Sequence, residues 1–142
     1  MKKTVLMVGC GDIALRVAPL LQEKYRIFGL FRHPDKARPF CSLGVRAIAG
    51  DLDRRSSLKK LAGIAQIIIH LAPPPNHGVR DTRTANLLAA LSEWTKGKSK
   101  ILPQQLIYIS TSGVYGDCQG KIIHVSRRLS PFNARAVRRV SA

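Results

Sequence analysis

The feature that most constrains the fold is a short apolar run followed at once by closely spaced glycines. Residues 4–8 read TVLMV, a continuous apolar segment typical of a strand buried on both faces. GCGDIA comes directly after it, and Gly9, Gly11 and Ala14 match a GxGxxG/A pattern. Gly9 permits a tight turn, and the small Ala14 lets a following helix pack closely against the strand. The sequence therefore predicts a strand–turn–helix unit at the start of the chain.

The same turn also has the properties of an anion site. Because Gly11 has no side chain, a pyrophosphate can approach its backbone, and the amides of Gly11 to Ile13 would point at the anion from the start of a helix. We therefore predict that a dinucleotide cofactor contacts this turn, with a purely structural turn as the alternative. The predicted contacts here are Gly9, Gly11, Asp12, Ile13 and Ala14.

Apolar runs and helical patterns alternate along the rest of the chain. Further strands are predicted at 26–31, 45–49, 65–72 and 105–110, and helical segments at about 12–23, 54–61 and 79–95. Strands separated by such segments imply right-handed crossovers and a parallel sheet covered on both faces. We predict an α/β fold, a Rossmann-type doubly wound parallel sheet of at least five strands in the order 3-2-1-4-5, forming a single domain over residues 1–142.

The composition excludes several classes of protein. Three cysteines form no CxxC pair and no cluster with histidine, so we expect free thiols and no metal site. No apolar segment approaches the ~18 residues of a membrane span, and the first apolar run is shorter than the ~7–15 residues of a secretory signal. We therefore expect a cytoplasmic protein with no membrane association.

The charge is strongly basic, with 24 Lys and Arg against 8 Asp and Glu and a formal net charge of +16. Positive charge of this size attracts polyanions and phosphorylated cofactors. The segment NARAVRR, residues 133–139, is the most suggestive of a nucleic-acid tail. No aromatic residues are interleaved with its arginines, and no nucleic-acid motif is present. Nucleic acid is therefore a disfavoured partner.

The residue after the second strand can distinguish between dinucleotides. That strand ends near Phe31, Arg32 follows it, and no acid occurs between Glu23 and Asp35. An acid near this position bonds the ribose hydroxyls of NAD, whereas an arginine accommodates the 2′-phosphate of NADP. Arg32, with His33 beside it, therefore favours NADP, with NAD as the alternative cofactor and a solvated surface arginine as the alternative role.

Asp51 follows the third strand, in the segment AGDLDRRSSL. A carboxylate at the C-terminal end of a strand faces the ligand crevice and could accept a hydrogen bond from an adenine amino group. The alternative, which physical reasoning weighs equally, is that Asp51 or Asp53 caps the next helix.

Two further sets of polar residues are open to a structural interpretation. His70 lies within an apolar run, so we expect a core or cofactor-adjacent histidine rather than a metal ligand.

Arg80 and Arg83 begin the longest predicted helix. We expect them on a solvated helix face, with contact to cofactor phosphates or substrate as the alternative.

Five segments in order, GCGDIA, FR, GDL, IIIHLAPPP and YISTSGVYGD, resemble the extended short-chain dehydrogenase/reductases, and most closely their atypical NAD-dependent epimerase/dehydratase-like branch. The resemblance covers essentially the whole chain, and STSGVYGD is its most specific part. It implies that Leu52, Leu71, Ala72 and Pro73 line the cofactor groove with the residues named above. It also implies that Thr111 occupies the catalytic Ser/Thr position, where it would bond the substrate oxygen.

The resemblance breaks down where the family carries its catalytic tyrosine and lysine. Alignment of the segment after VYG places Arg135 at the tyrosine position and Arg139 at the lysine position. Arginine stays protonated and cannot exchange a proton at neutral pH. Tyr115 is the nearby phenol, and its place in VYG indicates a substrate contact, with a substitute acid as the alternative. The family also continues into a substrate-binding part, which we expect to lie outside residues 1–142.

These observations leave two main hypotheses open. The first is the NADP-binding domain of an atypical short-chain dehydrogenase/reductase, an oxidoreductase or epimerase acting on a sugar-nucleotide-like or small carbonyl substrate. The second is a non-catalytic NADP-binding or sensing module, which could form a homodimer through an uncovered edge of the sheet. A polyanion-binding basic protein is the least favoured alternative.

Overall fold

A five-stranded sheet forms the centre of the structure, a computed structural model that describes residues 1–93 and 102–142. The strands are β1 (Thr4–Val8), β2 (Arg26–Phe31), β3 (Arg46–Ala49), β4 (Ile67–His70) and β5 (Gln105–Tyr108). Every neighbouring pair is parallel, and the order across the sheet is β3-β2-β1-β4-β5. The predicted α/β Rossmann-type fold and its strand order 3-2-1-4-5 are confirmed.

Helices connect the strands and cover both faces of the sheet. The α-helices are α1 (Asp12–Leu21), α2 (Arg38–Cys41), α3 (Thr82–Ser92) and α4 (Ala134–Val140), and the 3-10 helices are Pro34–Ala37, Arg55–Leu61 and Ser112–Tyr115. Within residues 1–93 and 102–142, no helix is long and apolar enough to cross a membrane.

The start of α3 differs from the prediction. Sequence periodicity placed it at residue 79, but the helix begins at Thr82 because Asp81 caps it. The Asp81 carboxylate accepts hydrogen bonds from the amide of Thr84 at 3.1 Å and from its hydroxyl at 2.8 Å. Periodicity does not reveal such a cap, since the residues before it can continue the pattern by chance. The helix also ends earlier than the predicted residue 95, since Ser92 is its last residue and Glu93 has an extended backbone.

The continuous apolar sequence of β1 is explained by burial on both sides. Val5 and Met7 belong to the core on the α1 face, whereas Leu6 and Val8 belong to the core on the α3 face. Successive side chains of a strand point to opposite faces, so a central strand covered twice needs an apolar residue at every position. All four side chains are at most 1% exposed.

Helix α4 is joined to the rest of the fold by polar contacts. Arg138 is buried and donates a hydrogen bond to the carbonyl of Gly78 at 2.8 Å. Ser141, just after the helix, accepts from the amide of Asp81 at 2.9 Å. These contacts hold α4 against the segment that leads from β4 into α3.

Candidate functional site

A cleft of about 490 Å³ opens at the carboxyl ends of the strands, with walls from the segments after β1, β2, β3 and β4. Its volume lies within the ~300–1,000 Å³ typical of small-molecule sites, and this edge is where open α/β sheets bind ligands. Ten of the eleven residues predicted to bind a cofactor line it: Gly9, Gly11, Asp12, Ile13, Arg32, Asp51, Leu52, Leu71, Ala72 and Pro73.

Ala14, the eleventh predicted residue, lies away from the cleft. Its side chain is fully buried in the core on the α1 face, beside Val5 and Met7. This position agrees with the steric reason for a small residue there, close packing of α1 on the sheet, and leaves Ala14 no surface with which to touch a ligand.

The two glycines of the turn are required for different reasons. Gly9 has a φ of +93°, and a β-carbon on it would lie 2.3 Å from the amide nitrogen of Ala72. The turn after β1 therefore passes directly against the segment after β4. Gly11 has no heavy atom of the described residues within 4 Å of such a β-carbon. Its missing side chain leaves open space in the cleft, where a phosphate would fit.

The amides at the start of α1 form the candidate anion site. Asp12 and Ile13 occupy the first turn, where backbone amides have no acceptor within the helix. The amide of Gly11 does not take part as predicted, because it donates to the carbonyl of Gly9 at 2.9 Å. The Asp12 carboxylate is paired with Arg16 at 3.0 Å on the exposed face of α1.

Three basic side chains follow β2 at the rim of the cleft: Arg32, His33 and Lys36, all exposed. Arg32 Nε donates to His33 Nε2 at 3.2 Å. The 3-10 helix Pro34–Ala37 turns the chain back, which brings Lys36 to the same rim. Sequence reasoning missed Lys36, because residue patterns do not set the register of so short a 3-10 turn.

Asp51 lines the cleft and does not cap a helix. Its carboxylate accepts from the amide of Asp53 at 3.0 Å, a turn within the loop. The 3-10 helix that follows has Arg54 at its N-cap and no side-chain cap bond. The capping alternative predicted for Asp51 or Asp53 is therefore wrong.

Arg83 forms part of the cleft wall, so the predicted solvated helix face is wrong for it. Its guanidinium contacts both Asp53 carboxylate oxygens at 2.7 and 2.8 Å and donates to the carbonyl of Pro73 at 3.2 Å. The hydrogen bond from Arg83 lowers the pKa of Asp53, and the same bond raises the pKa of Arg83. Arg83 thus joins α3 to the loops after β3 and β4.

Cys10 lies within the glycine turn and also lines the cleft. Its thiol contacts the carbonyl of Met7 at 3.6 Å. Burial raises the pKa of Cys10 to about 12, so the thiol stays protonated at neutral pH. Its role at this position is to pack beneath the turn.

The two residues predicted to act in catalysis lie outside the residues that line the cleft. The Thr111 hydroxyl accepts from the amide of Gly113 at 3.3 Å and caps the 3-10 helix Ser112–Tyr115. The Tyr115 hydroxyl donates to the carbonyl of Val125 at 3.5 Å. Both side chains are therefore engaged in local turns of the segment after β5.

Arg135 and Arg139, at the positions of the family's tyrosine and lysine, differ in their surroundings. Arg135 is exposed. Arg139 Nη1 donates to the Tyr108 hydroxyl at 3.0 Å and to the carbonyl of Ile109 at 2.8 Å, with its guanidinium 5.4 Å from the Tyr108 ring centre. The phenol beside this arginine is therefore Tyr108, whereas the sequence pointed to Tyr115.

His70 belongs to a buried polar cluster beneath the cleft. The Thr84 hydroxyl donates its hydrogen to Asp81, so its oxygen accepts a hydrogen bond from His70 Nε2 at 2.8 Å. Neutral His70 thus carries its proton on Nε2. The pKa of His70 is lowered to about 4, mainly by burial; Asp81 opposes this effect and Arg139 adds to it.

The fold and its cleft together define a Rossmann-type nucleotide-binding domain. The chain belongs to the NAD dependent epimerase/dehydratase family, whose family model matches residues 14–137. The resemblance recognised in the sequence is thereby confirmed, and membership of this family implies a nicotinamide dinucleotide cofactor.

Solved structures with the same fold include an epimerase and a proposed epimerase. A proposed epimerase from Burkholderia cenocepacia is 23% identical, with a TM-score of 0.78 over 98% of this chain and 47% of its own. UDP-N-acetylglucosamine 4-epimerase from Bacillus cereus is 14% identical, with a TM-score of 0.70 over 96% of this chain and 50% of its own.

A third similar structure is a short-chain dehydrogenase/reductase from Veillonella parvula, 19% identical, with a TM-score of 0.58 over 82% of this chain and 50% of its own. At these identities the likeness shows the fold. The chain spans about half the length of these proteins. No curated protein matches the sequence.

Proposed function

We propose that residues 1–142 form one cytoplasmic NADP-binding domain of the epimerase/dehydratase family. The observation that carries this proposal is the basic rim after β2, where Arg32, His33 and Lys36 line one side of the cleft. In a dinucleotide site the residues after the second strand contact the adenosine ribose. Three basic groups at this place favour a ribose that carries a 2′-phosphate.

The positions of the acids in the cleft support the same preference. The carboxylates that line the cleft in the described part of the chain, Asp12 and Asp51, lie on α1 and after β3. Neither follows β2, where an acid would bond the ribose hydroxyls of NAD and repel a phosphate. A guanidinium at this point presents planar donors that match phosphate oxygens.

The remaining walls fit the other parts of a dinucleotide. The open space at Gly11 and the amides of Asp12 and Ile13 would hold the pyrophosphate. Asp51 and Leu52 would contact the adenine, and Leu71, Ala72 and Pro73 would line the groove beyond the pyrophosphate. When bound, the cofactor would supply hydride chemistry.

Calorimetric titration of the chain with NADPH and with NADH tests the proposal. We expect NADPH to bind at least about tenfold more tightly, and Arg32→Ala to remove that preference while changing NADH affinity little. Arg26→Ala, which removes the same charge at the opposite end of β2, is the matched control. A preference for NADH, or an Arg32→Ala variant with unchanged selectivity, contradicts the proposal.

A second candidate function, cofactor binding without turnover, is favoured by the contacts of Arg139. Arg139, at the family's lysine position, donates hydrogen bonds to the Tyr108 hydroxyl and the Ile109 carbonyl. Arginine also cannot exchange a proton at neutral pH. NADPH oxidation assays across small carbonyl and sugar-nucleotide substrates distinguish the two functions. Turnover that Thr111→Ala abolishes would support an enzyme, whereas binding with no turnover would support a binding or sensing module.

A further inference from the structure

The basic rim after β2 contains two kinds of cation. Arginine and lysine side chains keep their charge around neutral pH, whereas histidine gains or loses its charge between about pH 5 and pH 8. Arg32, His33 and Lys36 are all exposed and line the cleft. Of these three groups, His33 is therefore the one through which the rim can exchange a proton with solvent when a ligand binds.

The His33 ring carries no proton on the nitrogen that faces Arg32. Arg32 Nε donates a hydrogen bond to His33 Nε2 at 3.2 Å, and an imidazole nitrogen that accepts a hydrogen bond is unprotonated. The proton of the neutral ring is then on Nδ1. Because an imidazolium ring has donors only, protonation of His33 breaks this bond and leaves Arg32 Nε free to donate elsewhere.

The turn after His33 brings Lys36 to the same place. His33 is the N-cap of the 3-10 helix Pro34–Ala37, and the Lys36 amide donates to the His33 carbonyl at 3.2 Å. Side chains three residues apart in a 3-10 helix lie above one another. The imidazole therefore has two cationic neighbours, Arg32 and Lys36. An anion that reaches this rim would contact all three groups, and its charge would favour the protonated form of the ring.

Further charged groups belong to the elements packed around the rim: Asp35 on the same 3-10 helix, Asp12 on α1, Asp51 and Asp53 after β3, and Arg83 on α3. Asp12 and Asp53 are each held in an ion pair, and the Asp51 carboxylate accepts from a backbone amide of its own loop. No ion pair of the described residues includes His33. A ligand would therefore bring the anionic partner of a charged His33.

We propose that NADP binding at the basic rim is coupled to the uptake of a proton by His33. This inference rests on the proposed function, because the 2′-phosphate is the anion that it requires. His33 takes the proton from solvent, and its Nε2 then donates to the phosphate instead of accepting from Arg32. The released Arg32 Nε donates to the phosphate as well, so that two charge-assisted hydrogen bonds replace one neutral acceptor.

The direction of the pH dependence follows from this exchange. At a pH where His33 is neutral in the free chain and charged in the complex, binding consumes a proton, so NADPH binds more tightly as the pH falls. We expect a gain of roughly three- to tenfold in NADPH affinity between about pH 8.5 and pH 6.5. NADH has no 2′-phosphate, and its affinity should change by less than about twofold over the same range.

Calorimetric titration at about pH 7.5, in buffers of different ionisation enthalpy, measures the protons taken up. We expect about 0.3 to 0.9 proton per NADPH and less than about 0.1 per NADH. The second pKa of a phosphate ester is about 6, so the 2′-phosphate itself contributes little at this pH. A chain that prefers NADPH but takes up no proton overturns the coupling alone. A chain that binds no NADPH overturns the proposed function together with it.

His33→Gln separates the charge of the ring from its contact with Arg32. Glutamine offers Arg32 an acceptor but cannot gain a charge. The variant should take up less than about 0.1 proton per NADPH and lose the pH dependence of NADPH affinity. His124→Gln, at an exposed histidine outside the cleft lining, is the matched control and keeps the uptake of the wild type. Uptake that persists in His33→Gln assigns the proton to another group and overturns the proposal.

Nitrogen chemical shifts of the imidazole provide a test without substitutions. In the free chain at about pH 7.5, His33 should be neutral, with its proton on Nδ1. Addition of NADPH should move both ring nitrogens toward the shifts of a charged ring, whereas NADH should leave them in place. A free chain with the His33 proton on Nε2, or a ring that stays neutral in the NADPH complex, contradicts the proposal.

Discussion

Arg83 and Asp53 form a two-point ion pair across the cleft wall, with guanidinium nitrogens 2.7 and 2.8 Å from the two carboxylate oxygens. Asp53 belongs to the loop after β3, and Arg83 also bonds the carbonyl of Pro73 after β4. The pair therefore holds two loops of the cleft in fixed positions, and Leu52 and Pro73 in those loops line the site.

Arg83→Met should weaken NADPH and NADH binding by similar factors. The substitution removes a wall contact that both cofactors share, and a loss of about 1 kcal/mol corresponds to roughly fivefold in affinity. Titration of both cofactors measures the effect. Arg55→Met is the matched control, because it breaks the ion pair with Glu93, which lies outside the cleft lining. Unchanged affinity in Arg83→Met would show that the ion pair does not shape the site.

Gly9→Ala should destabilise the fold by at least about 3 kcal/mol, because it combines a strained φ with a backbone clash at Ala72. Gly44→Ala separates these two causes. Gly44 has a φ of +74° but no neighbour within 4 Å among the described residues, so its substitution should cost only about 1 kcal/mol. Urea unfolding measures both variants, and equal losses would argue against the contact between Gly9 and Ala72.

The stability of the fold should fall as the pH is lowered from about 6.5 to about 4. Below its ordinary pKa, His70 takes up a proton in the unfolded chain, whereas in the folded chain its pKa is lowered to about 4. The difference corresponds to about 3 kcal/mol across that interval. Urea unfolding at several pH values measures it. His70→Gln, which keeps a donor for Thr84, should flatten the profile, and an unchanged slope in that variant would assign the pH dependence to other groups.

The fold could be predicted from the sequence because the patterns that indicate it, the apolar runs and the glycine turn, are local in the chain. Continuous apolar runs identify strands covered on both sides, and the glycine turn fixes the first crossover. The cleft residues Leu71 to Pro73 followed from family resemblance, since no residue property marks a groove wall. The sequence gives no direct sign of contacts between distant segments. The pairing of Arg83 with Asp53 and that of Arg139 with Tyr108 each join residues about 30 positions apart.

Local backbone geometry explains the remaining differences between the site predicted from the sequence and the site observed in the structure. The approach of Lys36 to the cleft depends on the register of a single 3-10 turn, which composition does not determine. The amide of Gly11 turns to the carbonyl of Gly9, a choice among backbone conformations that glycine makes equally accessible. Residue patterns do not predict the register of one turn or the direction of one amide.

Titration of NADPH into the wild type and into Gly11→Ala tests the central claim, that the glycine turn holds a dinucleotide. A β-carbon at residue 11 meets no atom of the described chain within 4 Å, so the variant should unfold at the same temperature as the wild type. It should bind NADPH at least about tenfold more weakly, because the methyl group occupies the place of the pyrophosphate. A wild type that binds no dinucleotide, or a Gly11→Ala variant that binds NADPH as tightly as the wild type, would contradict the claim.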